Sequence, residues 1–107
     1  MTLDEYQQEA LTTTSDRGTE LVQRVLGLAG ESGEIADRVK RWLRDGEGDL
    51  SRLDRKVMGH ELGDALWYVA TLADLLGYRL EDVARENLAW RAARHQRQGA
   101  DGKRDPH

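Results

Sequence analysis

MGHELGDALWYVATLADLL, residues 58–76, sets Met58, Leu62, Ala65, Leu66, Val69, Leu72 and Leu76 at steps of three and four. Side chains so spaced line one side of a helix and form the seam of a bundle, whereas a strand sends successive residues to opposite faces. The same spacing continues outward in both directions. Upstream, LGLAGESGEIADRVKRWL at 26–43 belongs to an apolar face made by Leu21, Val22, Val25, Leu28, Ala29, Ile35, Ala36, Val39, Trp42 and Leu43. A helix from about Thr19 to Leu43 follows, ended by the run Asp45-Gly-Glu-Gly-Asp49. The seam helix itself is expected from about Ser51 to Leu76, with Gly77 as its stop. Downstream, Leu80, Val83, Ala84, Leu88 and Ala92 predict a helix over Leu80 to Arg97. At the other end, Thr2 and Glu5 form a capping-box pattern for a short helix from Leu3 to about Leu11, before the polar stretch Thr12 to Gly18. The only proline is Pro106. The expected fold is therefore all-α, an antiparallel helix bundle of four main helices, in one domain over residues 1–98 with a flexible C-terminal tail at 99–107.

Composition narrows the function classes. A chain of 107 residues buries roughly 60–70% of its unfolded surface, a modest core that oligomerisation readily supplements. The broad apolar faces of the two long helices predict that one is buried against another subunit. With 16 basic and 20 acidic residues the net charge is -4, which offers no electrostatic footprint for a nucleic-acid backbone. Cysteine is absent, so disulfides, thiolate metal sites and a cysteine nucleophile are excluded, and a reducing, cytoplasmic setting is expected. The opening MTLDEYQQEALTTT has no basic segment leading into an apolar run, and no stretch approaches the roughly 20 apolar residues of a membrane span.

Two acidic pairs of one design interrupt the apolar rows: Glu31-x-x-Glu34 and Glu61-x-x-Asp64. Residues three apart share a helix face, so each pair presents two carboxylates side by side. If the two long helices pack antiparallel, the pairs meet. Four carboxylates converging beside a core repel one another and take up protons unless a cation compensates. All-oxygen ligation points to Mg²⁺, with Mn²⁺ as substitute, rather than to zinc, which favours nitrogen and sulfur. Gly27, Gly30 and Gly33 surround the first pair, and Gly59 and Gly63 the second. Each costs about 1 kcal/mol against alanine within a helix, so they are expected to let the two backbones approach closely here. The bland reading is that Gly30 and Gly33 mark a loop dividing the second helix in two.

Competing motifs fail on spacing. A di-iron bundle needs Glu-x-x-His, and His60 directly precedes Glu61. Asp45, Glu47 and Asp49 imitate a calcium loop, but Leu50 stands where glycine is required and Lys56 where the bidentate glutamate belongs. The glycines near Glu31 lack the Lys-Ser/Thr ending of a phosphate-binding loop.

LGLAGESGEIADRVKRWL together with HELGDALWYVATLADLLGYRLEDVARENLAWRAARHQR resembles the MazG-like nucleoside triphosphate pyrophosphohydrolases. Their E-x-x-E, spacer, E-x-x-D signature reads here as Glu31, Glu34, 26 intervening residues, Glu61 and Asp64. The flanks Gly-Leu-Ala-Gly-Glu and Glu-Leu-Gly-Asp-x-Leu-Trp-Tyr carry the specificity, and the similarity is expected to include the opening Leu-Asp-Glu-Tyr-Gln. The resemblance implies Mg²⁺-dependent hydrolysis of a nucleoside triphosphate between the α and β phosphates, releasing monophosphate and pyrophosphate, in a homodimer or homotetramer. It also implies a house-cleaning role against aberrant or surplus nucleotides. Glu31, Glu34, Glu61 and Asp64 would hold the metal. Glu34 and Glu61 are the candidate general bases, beside direct activation by the metal. Lys40, Arg91 and Arg94 are candidate triphosphate contacts or, alternatively, basic residues near helix C-termini favoured by the helix dipole. Asn87 is a candidate for base or ribose, since its amide both donates and accepts. Tyr68, four residues after Asp64, and Trp42 either border the nucleotide or pack in the core. Relatives often carry lysine where this chain has Trp90, so either Arg91 takes over a phosphate contact or this end of the site has changed. The alternative to an enzyme is an inactive helical module that binds metal or nucleotide, or serves oligomerisation.

Overall fold

Thr2 accepts from Glu5 N at 3.1 Å while its own N–H donates to Glu5 Oε1 at 2.9 Å, and this capping box opens α1 (Leu3–Leu11). The chain is described by a computed structural model over residues 1–14 and 20–101, with only the backbone described at 100 and 101. Thr19, where the second helix was expected to begin, lies outside the described residues, as do residues 102–107 of the expected tail. α2 (Glu20–Asp45) is one unbroken helix of 26 residues running through Gly27, Gly30 and Gly33, so the loop reading of those glycines is discarded. It ends where Gly46 N donates to Trp42 O at 2.7 Å and the backbone turns left-handed at Glu47 (φ 55°) and Gly48 (φ 75°). A side chain on Gly46 would put its Cβ 2.7 Å from that same carbonyl oxygen, and so glycine is required there.

The third helix does not start at Ser51 as the periodicity predicts. Asp49 accepts from Ser51 N at 3.0 Å and from Ser51 Oγ at 2.8 Å, closing a single 3-10 turn over Leu50–Arg52. A second acidic cap, Asp54 accepting from Val57 N at 3.1 Å, then opens α3 (Arg55–Leu75). Gly77 is the stop the sequence suggests: at φ 82° it lets Gly77 N reach Asp74 O at 2.9 Å and Tyr78 N reach Ala73 O at 2.8 Å, a Schellman ending. α4 (Leu80–Asp101) continues four residues past the expected end at Arg97.

All four helices are α, and among the described residues there is no strand. Gly27 lies against Tyr68, Arg38 against Glu61, and Trp42 shares a cleft with Met58, so α2 and α3 run in opposite senses. α2 packs chiefly on α3, while α4 packs on α1 and α3. The core lies at that second junction, where Ala10, Ala70 and Leu80 are buried with Leu3, Tyr6, Trp67 and Val69 around them. Gln7, only 2% exposed, ties it together: its amide nitrogen donates to Ala70 O and Tyr78 O, both at 3.1 Å, and its oxygen accepts from Leu80 N at 3.0 Å. Among the described residues, no helix is long and apolar enough to cross a membrane.

The apolar faces expected to close a bundle core are mostly open within one chain. Leu21, Val22, Val25, Val39 and Leu43 of α2, Leu62, Leu66 and Leu76 at α3, and Leu88 of α4 are all exposed, with Leu26 at 65%. The radius of gyration is 17.2 Å, against about 13 Å for a compact domain of this size. The periodicity marked real apolar faces, and within one chain the two long helices leave much of them exposed, more than the one face expected to be left for another subunit. Replacing Gln7 with leucine strips partners from Leu80 N and two carbonyls in the one well-buried junction. Urea unfolding is expected to show a loss of about 1–3 kcal/mol, with the helical content of the folded state unchanged by circular dichroism.

Candidate metal centre

Along α2, Gly27, Glu31, Glu34 and Arg38 follow one another at steps of four, three and four, and so form a single stripe. Along α3, Glu61, Asp64 and Tyr68 do the same at steps of three and four. Because the helices run oppositely, the stripes face each other. Glu31, Glu34 and Glu61 each offer an oxygen, and these atoms all lie within 4.8 Å of one another. Glu61 is buried at 7% exposure, and Glu31 Oε2 is fully enclosed with no hydrogen-bond partner. Asp64 stands exposed on the same stripe, and its charge bears on both Glu31 and Glu34.

The protonation pattern follows from crowding. The Glu31 carboxyl is pushed up to about 7, first by a hydrogen bond shared with Glu61, then by desolvation and by the charges of Glu34, Glu61 and Asp64. Glu34 is raised as well, through its own hydrogen bond to Glu61 and the Glu61 charge, with Arg38 acting the other way. Glu61 is lowered, first because Arg38 Nε donates to its Oε1 at 2.9 Å and then through hydrogen bonding shared with Glu31 and Glu34. The neighbouring carboxylates thus raise the proton affinity of Glu31 and Glu34, while the Arg38 guanidinium favours the ionised form of Glu61. An all-oxygen donor set with an enclosed, unpartnered acceptor suits a hard divalent ion. These residues fit such an ion.

The other sequence-derived candidates are placed less closely. Tyr68 packs its ring on Gly27, where an added Cβ would lie 2.2 Å from the ring carbon Cε1. Gly27 is therefore the one motif glycine that the interhelical approach requires. At Gly30, Gly33, Gly59 and Gly63 a Cβ would meet nothing within 4 Å, which corrects the expectation that all five draw the backbones together. Trp42 is half-buried, donates from Nε1 to Asp49 O at 2.7 Å, and anchors the turn leaving α2. Lys40 is exposed, nine positions and so two and a half helical turns beyond Glu31, on the far side of α2. Asn87 and Arg91 are exposed on α4, and Arg94 sits over the Trp90 ring at 4.5 Å, on a helix whose main packing is with α1 and α3.

Sequence reasoning missed two arginines. Arg38, the partner of Glu61, was legible in principle as the residue four beyond Glu34 on the acidic stripe. Arg24 is 6% exposed and lies over the Trp67 ring at 4.9 Å; nothing in a lone basic residue on an apolar row announces that burial.

The chain matches the MazG nucleotide pyrophosphohydrolase domain over residues 21–98. It belongs to the MazG nucleotide pyrophosphohydrolase family. Both acidic pairs fall inside the matched span, whereas α1, including the opening Leu3–Gln7 segment that was expected to share the similarity, lies outside it. A relative is the Gene 37 protein of Mycobacterium phage L5, 48% identical over 63 residues, which cover 59% of this chain and 55% of that protein. The chain thus spans little more than half the length of that relative. No solved structure matches significantly.

For this MazG domain the pH dependence has a definite sign. Between the ordinary glutamate value of 4.5 and the raised value of about 7, the folded state holds a proton at Glu31 that the unfolded state has lost. Stability from this site therefore falls as pH rises through that window and stays low above it, and Glu34 adds in the same direction. The metal-free protein is expected to melt at a lower temperature at about pH 8 than at about pH 5.5, and millimolar Mg²⁺ is expected to remove most of the difference. Scanning fluorimetry in chelator and in Mg²⁺ reads both.

Proposed function

We propose that this MazG domain is a Mg²⁺-dependent nucleoside triphosphate pyrophosphohydrolase. It adds water across the α–β phosphate bond of ribo- or deoxyribonucleoside triphosphates, yielding monophosphate and pyrophosphate in a house-cleaning role against noncanonical or surplus nucleotides in the cytoplasm. The observation that carries this reading is the meeting of Glu31, Glu34 and Glu61 oxygens within 4.8 Å across two helices, beside an enclosed acceptor with nothing to accept from. Glu31, Glu34, Glu61 and Asp64 would hold Mg²⁺, with Mn²⁺ as substitute. When bound, the ion would polarise phosphate oxygens, stabilise charge on departing pyrophosphate and acidify water. Glu34, exposed and with its proton affinity raised, and Glu61 are the candidate general bases, beside direct activation of water by the ion. Tyr68 walls the site on the side of Gly27 and Trp42 lies beyond Arg38, so a nucleotide along the groove would have an aromatic surface at either end.

The apolar faces left open on α2 and α3 are covered, in this reading, by a second copy in a homodimer or homotetramer that completes the bundle. An oligomer would also be the means by which Asn87, Arg91 and Arg94 of α4, or Lys40, reach a triphosphate held elsewhere. A second reading, an inactive metal- or nucleotide-binding or oligomerisation module, is favoured by one observation. Trp90, where relatives often carry lysine, is 56% exposed and stacked by Arg94.

The two readings separate in a panel of canonical and modified triphosphates with Mg²⁺. Release of pyrophosphate and monophosphate supports the enzyme, Mg²⁺ binding with no release from any member supports the module, and orthophosphate alone rules out cleavage between α and β. Glu31→Gln is expected to lower turnover by about 10²-fold or more, on the scale of losing a group from the reacting centre, while raising the melting temperature of the metal-free protein because repulsion is relieved. Unchanged turnover would count against the ligand assignment. For the assembly, Leu26→Glu is expected to shift the protein toward monomer in light scattering, and a wild-type protein that is itself monomeric at micromolar concentration would refute the oligomer.

A further inference from the structure

Arg38 belongs to two sites at once. Its Nε is 2.9 Å from Glu61 Oε1, and it is four residues from Glu34, whose proton affinity it lowers. It also lines a cleft of about 330 Å³ with Arg41, Trp42, Asp45, Arg52 and Met58, beyond the end of the acidic stripe. The two ends differ in burial, with the Arg38 side chain 38% exposed and that of Glu61 only 9%. The guanidinium therefore reaches from the open cleft into a nearly closed carboxylate cluster. Among its charged residues, Asp45 holds Arg44 at 2.8 Å and also feels Arg41 and Arg52, Asp54 caps α3, and Arg41 pairs with Asp37 at 3.0 Å. Three arginines against two aspartates leave the cleft with an excess of cationic groups, a lining that can take an anion. A divalent ion at Glu31, Glu34 and Glu61 takes over the neutralisation that Arg38 gives Glu61, and two cations on one carboxylate edge repel.

We propose that Arg38 is an internal counter-ion that gives up Glu61 when the divalent ion enters and turns its guanidinium to the phosphate oxygens of the substrate, held jointly with Arg41 and Arg52. The inference rests on the metal reading given above. It makes Arg38 a residue that weakens metal binding in the absence of nucleotide and strengthens nucleotide binding once the metal is present, two effects of opposite sign from one side chain. A structural ion pair would give the first by charge alone but not the second.

The test uses the full chain, ¹⁵N-labelled at arginine, with the Arg38 Nε–H resonance assigned by its loss in Arg38→Met. Saturation with Mg²⁺ is expected to shift or broaden that resonance, and a non-hydrolysable α,β-methylene nucleoside triphosphate is expected to restore a sharp one at a new position. By calorimetry, Arg38→Met is expected to bind Mg²⁺ roughly three- to fivefold more tightly than wild type, the scale of an exposed ion pair. With Mg²⁺ present it is expected to bind the analogue about tenfold more weakly, with Arg38→Lys between the two. An Arg38 resonance unmoved when Mg²⁺ is bound, or an unaltered or weakened Mg²⁺ affinity in Arg38→Met, overturns the proposal. Unchanged analogue affinity in that variant overturns the handover to phosphate. Should wild type itself bind no Mg²⁺, the metal reading falls instead, and the calorimetry on wild type alone distinguishes that case. The resonance is read in wild type, so the outcome does not depend on a variant that fails to fold.

Discussion

Carboxylates that must face one another across α2 and α3 set the terms for the rest of the molecule. The antiparallel hairpin brings Glu31 and Glu34 against Glu61, and nothing apolar can relieve the repulsion. Relief comes from the raised proton affinities of Glu31 and Glu34 and from the Arg38 guanidinium on Glu61. Both are partial, since Glu31 Oε2 stays enclosed without a partner. A fold selected for stability alone would place leucine or alanine at these positions. Their occupation by acids is thus a statement about function that the geometry makes before any comparison is drawn.

Stability has to come from elsewhere, and the structure separates the two tasks on α3. One side of that helix presents Glu61, Asp64 and Tyr68 to α2. Another presents Ala70, with the nearby Ala73, at the junction of α1 and α4, where Leu80 is buried and Gln7 binds three backbone groups. Buried alanines allow close helix approach, and a fully satisfied glutamine fixes the register of that approach. Asp4, paired with Arg79 at the start of the last turn before α4, closes the same junction from outside. The strained cluster therefore sits apart from the small core that supports it.

Much of this was legible in the residues. Steps of three and four gave the helices, Thr2 with Glu5 gave the first cap, and Gly77 gave a stop whose φ of 82° only glycine adopts easily. The acidic pairs were legible because a carboxylate in an apolar row conflicts with its surroundings. What escaped reading depends on tertiary partners. Gln7 looks like any polar residue of a short helix until Ala70 and Tyr78 are seen beside it. The 3-10 turn at Leu50–Arg52 arises from competition between two aspartate caps five residues apart, Asp49 and Asp54, which periodicity does not register. Five glycines of similar context divided one to four, because only Gly27 has an aromatic ring opposite it.

The open apolar faces and the acidic stripe are geometrically related. A helix has room for only a limited number of faces, and α2 uses one for Gly27, Glu31, Glu34 and Arg38 against α3. Leu21, Val22, Val25, Leu26 and Leu43 consequently point away from the hairpin and are exposed among the described residues. Giving a helix face to four polar or minimal residues transfers its hydrophobic stabilisation outward. The acidic groove and the exposed apolar faces thus arise from the same residue choices along α2.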